Sequence, residues 1–84
     1  MNTGEKAMYN LYQLTPVEQI LNVKTNEWYD ERGESTYQWV EDSCIGKFMD
    51  WFDENYNGEL RKIMRVSRGQ MQQVIDISGL DSNL

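Results

Sequence analysis

The chain has 84 residues, a net charge of −6 and a sequence pI of about 4.4. A single small domain over 1–84 is the expected organisation. A domain of this length buries only about 60–65% of its unfolded surface, so its core is thin and self-association would help it. The acidic balance disfavours general phosphate binding and docking on an anionic membrane. The absence of histidine removes the Ser-His-Asp and Cys-His catalytic sets and the usual zinc ligands.

The charge is uneven. Residues 1–58 carry four basic and eleven acidic side chains, whereas residues 59–84 carry four basic and three acidic ones. The lone cysteine, Cys44, excludes an intrachain disulfide. The opening "MNTGEKAMYNLYQL" lacks the basic region and apolar run of a signal peptide, so a cytoplasmic protein is expected. Three Trp, five Tyr and two Phe argue for a folded chain, since disordered ones are poor in aromatics.

In chain order, residues 1–7 read as a frayed arm and "MYNLYQL" (8–14) as an edge strand or extended arm. In "TPVEQILNVK", Thr15 suits an N-cap, Pro16 the first helical position and Glu18 a capping box, which predicts a helix from 16 to about 24. A hairpin through Thr25 and Asn26 is the alternative. "YDERGES" (29–35) reads as a loop, with Ser35 or Thr36 capping the next helix.

The strongest signal spans 36–54. Tyr37, Val40, Cys44, Ile45, Phe48, Met49, Trp51, Phe52 and Tyr56 fall on one broad helical arc, with Asp42, Gly46, Asp50, Asp53 and Glu54 opposite. This pattern predicts one central helix, with Cys44 as a small hydrophobe on its stripe. In "ELRKIMRVSRGQMQQVIDISGL", Leu60, Ile63, Met64, Val66, Met71, Val74, Ile75 and Ile77 suit one helix. They suit equally two helices broken at Val66-Ser67, with Ser67 as an N-cap and Gly79 as the end. Residues 81–84 read as a frayed tail. The fold class is therefore mainly α: a small bundle of three to four helices with a short N-terminal strand or arm.

Two motifs meet at "WFDENYNGEL" (51–60). Asp53, Asn55, Asn57 and Gly58 resemble the opening of an EF-hand calcium loop over 53–64. Met64 stands where that loop needs its bidentate glutamate, and Arg61 and Lys62 add positive charge. The plainer reading is a helix-to-helix corner at Asn57-Gly58. "GELRKIMRVSRGQMQQVI" resembles a helix-turn-helix, with Leu60, Met64, Val66, Met71 and Val74 at its buried positions. That resemblance implies DNA contacts from Arg61, Lys62, Arg65, Ser67, Arg68, Gln70, Gln72 and Gln73. Arg61 and Arg65 depart from the family pattern, which prefers a small residue and a glycine there.

The function expected from these features is a small acidic, non-enzymatic protein-interaction module with no cofactor and no metal. Its acidic face would be Trp39, Asp42, Asp50, Asp53 and Glu54. Its partner would be another protein or a second copy, met through the aromatic helix face as a homodimer. Helix-turn-helix DNA binding is the alternative, and a degenerate calcium loop the third reading.

Overall fold

The computed structural model describes residues 7–79. The expectations of frayed ends at 1–7 and 81–84 lie, apart from Ala7, outside the described residues. Strands make up 51% of the described residues, arranged antiparallel with only two α-helices among them, which overturns the expected helical bundle. The strands are β1 (Met8–Asn22), β2 (Glu27–Arg32), β3 (Thr36–Glu41) and β4 (Gly58–Ser67). The helices are α1 (Ile45–Asn55), entered through a 3-10 turn at Asp42–Cys44, and α2 (Arg68–Ser78).

The fold is organised around β1. It pairs with β3 from Tyr9↔Glu41 to Leu14↔Thr36, with β2 from Val17↔Arg32 to Asn22↔Glu27, and with β4 from Met8↔Ser67 to Pro16↔Gly58. The Pro16 carbonyl accepts from the Gly33 N–H at 2.8 Å, and the Val17 N–H donates to the Asn57 carbonyl at 3.0 Å. Those two groups belong to one peptide unit and point opposite ways. Gly33 and Asn57 therefore lie on opposite edges of β1. Hence β2 and β3 are two halves of one return strand, with β4 on the other edge. Between Leu14↔Thr36 and Val17↔Arg32 the return strand holds one residue more than β1, so 33–35 is a bulged break.

That break explains the misread "TPVEQ". Pro16 has no N–H, and in a strand its N and C=O point to the same edge, which here is the edge with the break. The proline therefore removes no ladder bond. Its ring also needs Gly33, because a Cβ there would stand 2.9 Å from Pro16 Cγ. The chain reverses at 23–26, so the hairpin alternative is the observed one. The Asn22 side chain accepts from the Lys24 N–H at 2.9 Å, and Asn26 takes the left-handed conformation at φ 60°.

The 36–54 stretch is strand, turn and helix. In "TYQWVE" the side chains alternate, so Val40 faces the core with Asn10 while Trp39 pairs with Leu11 on the other face. From Ile45 the helical arc holds. Phe48 is buried, and Ile45, Met49, Phe52 and Tyr56 pack with it on Tyr12, Leu14, Val40 and Leu60. Each such Leu- or Phe-sized side chain contributes about 1.5–3 kcal/mol on full burial. Cys44 is the exposed N-cap of α1 and not part of its stripe.

The 59–77 stretch is likewise strand then helix. β4 bulges at Ile63, between Leu11↔Met64 and Tyr12↔Lys62. The bulge sends Leu60 to the α1 face and Met64 and Val66 to the opposite face. That second face carries Leu11, which is fully buried, and α2 contacts β1 and β4. The half-buried residues of α2 are Met71, Val74 and Ile75. Here the expected cap stands. Ser67 accepts from the Gln70 N–H in a capping box, and Gly79 ends the helix at φ 73°. The first helix of the expected helix-turn-helix does not exist, because Gly58–Ser67 is a strand.

Candidate protein-interaction groove

Among the described residues β3 has a partner on one side only, β1. Its outer edge leaves alternate N–H and C=O groups facing outward. Beside that edge α1 crosses the sheet, and between the two runs an open groove of about 540 Å³. Gln38, Trp39, Val40 and Glu41 line it from β3, and Cys44, Lys47, Phe48 and Trp51 from the turn and helix.

The groove is aromatic because of how α1 stacks. Tyr12 lies 5.1 Å from Phe48 between ring centroids, Phe48 lies 5.9 Å from Trp51, and Trp51 lies 6.0 Å from Tyr56. Tyr56 stacks in turn on Phe52 at 5.1 Å. Burial pushes the Tyr56 hydroxyl's pKa up. Trp51 packs on Phe48 and Tyr56 and is still 43% exposed. A half-exposed Trp is the kind of side chain that anchors an interface.

No protein-family model, curated protein or solved structure matches this chain. The site must therefore be read from its own geometry.

A polar cluster braces the turn that enters α1. Asp42 takes the Arg65 guanidinium through both oxygens, at 3.2 and 2.5 Å, and accepts from Asn10 Nδ2 at 2.8 Å. The Arg65 hydrogen bonds, then the Asn10 one, hold the Asp42 carboxyl down at a pKa of about 2. Asn10 is fully buried and also donates to the Val40 carbonyl at 3.0 Å. The turn that starts α1 is thereby tied to β1, β3 and β4 together.

The residues expected on the acidic face do not form one surface. Trp39 lines the groove and Asp42 is spent on Arg65, while Asp50, Asp53 and Glu54 lie exposed on α1 away from its buried Phe48. The residues assigned to DNA reading divide between two elements. Arg61, Lys62 and Arg65 are on β4, and Arg68, Gln70, Gln72 and Gln73 on α2. Ser67 and Gln70 cap α2, and Gln72 donates to Asp76 at 3.1 Å. The helix expected to read DNA is present as α2, but the helix expected before it is the strand β4.

The calcium-loop resemblance has no second helix to complete it, since β4 starts at Gly58. Asn57 instead donates its side-chain amide to the Val17 carbonyl at 2.9 Å. Among the described residues no group of three or more acidic, Cys or His side chains could hold a metal ion. Among them also, no helix is long and apolar enough to cross a membrane.

Sequence reasoning missed Val40, Lys47 and Phe48 as groove residues, and offered the hairpin of β2 with the outer half of β1 only as the alternative to a helix. The signal for β3 was present in the alternation of Tyr37, Trp39 and Glu41 against Gln38 and Val40. It was masked by the helical arc of the next segment.

Proposed function

We propose that the chain is a small, non-enzymatic protein-interaction module that binds through the groove between β3 and α1. The observation that supports this most is the apolar trough lined by Val40, Phe48 and the half-exposed Trp51. A partner's apolar side chain laid there gains burial from the trough. A free exposed thiol at Cys44 suits a reducing compartment, which supports a cytoplasmic site of action.

The test compares wild type with Trp51→Ala in capture experiments from the native cell, with and without nuclease. A protein retained by wild type in nuclease and lost by the variant supports the reading. A complex that survives only while DNA is intact would favour the nucleic-acid alternative.

A further inference from the structure

β4 ends its pairing at Pro16↔Gly58, so beyond that point β1 and β2 continue as a two-stranded arm with its tip at 23–26. A two-stranded hairpin is marginal in water unless something packs on it. This arm instead displays apolar side chains: Val23 is 84% exposed and Trp28 64%. Trp28 pairs with Leu21, an odd-numbered residue of β1, so it lies on the face away from α1. No helix among the described residues reaches it there. α2 follows β4 from the Met8↔Ser67 end, and its eleven residues span about 16 Å. Leu21 is thirteen residues along β1 from Met8, on the order of 40 Å away.

The two faces of the arm differ in charge. On the α1 side stand Glu18↔Glu31, Ile20↔Tyr29 and Asn22↔Glu27, with three carboxylates and no base among these pairs. On the Trp28 side stand Leu21↔Trp28, Gln19↔Asp30 and Val17↔Arg32, with one acid and one base. That base is already bridged to Glu59.

We propose that the Leu21–Trp28 face of the arm is covered by the same face of a second copy of this chain, in a two-fold dimer whose hairpins lie antiparallel and face to face. The axis passes at the level of the Leu21↔Trp28 pair, so Trp28 of each protomer packs on Leu21 and Trp28 of the other. Such an interface is isologous and closes at two copies. The surface is separate from the groove, which stays open on the α1 side of the sheet.

Three observations favour a second copy over an unrelated protein. The first is charge. Meeting by the α1 side would set two groups of glutamates against each other, and like charges facing each other destabilise. On the Trp28 side, Asp30 stands two residues from Trp28 toward the body, and Lys24 three residues beyond Leu21 in the turn. The axis therefore brings Asp30 of each protomer near Lys24 of the other. The second is shape. The molecule measures 64 Å along its length against 28 and 18 Å across, and the arm lies at one end of the fifteen-residue β1. Two copies therefore overlap along their arms while their bodies stay apart, and each hairpin gains the second layer it lacks. The third is area. A Trp side chain can bury about 150–250 Å², so two Trp28 and two Val23, with Leu21 beside them, bring the interface toward the roughly 1,000 Å² at the low end for specific association.

Sedimentation of the full chain tests this. Over about 10–500 µM wild type should pass reversibly from monomer to dimer, as suits a small interface. Trp28→Ser should weaken the dimer about tenfold or more, since a Trp anchor contributes at least that factor. Tyr29→Ser, on the α1 side of the arm, should leave it unchanged. Asp30→Lys should also weaken it, by setting lysine against lysine, although it lowers the net charge. Adding Lys24→Asp to that variant should restore the dimer. Circular dichroism verifies that each variant is folded. A wild type that stays monomeric up to about 500 µM overturns the proposal. So does a dimer that Tyr29→Ser breaks and Trp28→Ser does not, or a charge swap that fails to restore association.

Discussion

Asn10 and Asp42 are joined by a 2.8 Å hydrogen bond from the fully buried amide of one to the carboxylate of the other. Through it the central strand holds the turn that launches α1. Asn10 Oδ1 has no donor among the described residues, so burial of this amide is only partly compensated. Asn10→Ala is expected to cost about 1–3 kcal/mol, because the bonds to Asp42 and the Val40 carbonyl are both lost. At about 4–8 °C per kcal/mol for a domain of this size, Tm should fall by roughly 10 °C. Thermal melts followed by Trp fluorescence check this.

Asp42 also sets an acid limit. Its folded pKa, about 2, lies below its ordinary 3.8. A depressed carboxyl stabilises the fold above the ordinary value, and that contribution is lost as the pH falls from about 4 toward 2. Glu59, lowered by its hydrogen bonds from Arg32, acts in the same direction. Stability should therefore be flat near neutrality and decline below about pH 4. Asp42→Asn should show a shallower decline, and equal slopes in urea titrations across that range would count against the role given to Arg65.

Gly58 is expected to resist substitution. A Cβ there would collide with the Thr15 carbonyl, and would lie 2.8 Å from the Tyr56 ring and 2.9 Å from Pro16 Cα. Two of those are backbone atoms that cannot step aside cheaply. Gly58→Ala should destabilise by about 1–3 kcal/mol, as overpacking generally does. Gly46→Ala meets nothing within 4 Å and lies inside α1, so it should be neutral or stabilising. Paired denaturation curves of the two variants are the measurement.

Amide exchange should divide β1 in two. Residues 9–14 are hydrogen-bonded on both edges and covered by α1 or flanked by α2, whereas residues 18–22 pair only with β2 among the described residues. Dilute protein should protect the first half close to the global limit and the second half far less.

Phe48→Ala should be the most damaging change at the groove, costing about 3–5 kcal/mol, because it removes the one buried residue of α1. Trp51→Ala, at a half-exposed position, should leave the melt nearly unchanged and act on binding instead. A circular dichroism melt of each separates structure from interaction.

Several features were legible in the residues alone. Local hydrogen-bonding chemistry places α2, because Ser67 and Gln70 satisfy each other's backbone groups and Gly79 adopts the left-handed end without a Cβ penalty. The arc from Ile45 to Tyr56 likewise defines α1 and its aromatic core, since nothing non-local competes with it. The lack of histidine bounds the chemistry in the same way.

Tertiary structure decided the rest, and for one physical reason: strand pairing is non-local and overrides local pattern. Leu60, Met64 and Val66 read as one helical face, but the bulge at Ile63 sends Leu60 under α1 and the other two to the face that carries Leu11. Thr15-Pro16 reads as a helix start, but β1 continues through it because the proline faces a break in its neighbour. Tyr37 and Val40 share the helical spacing of α1, yet the six residues of β3 pair with β1 instead and turn the aromatic stripe into the wall of a groove. None of these outcomes is visible until β1 has found its three partners.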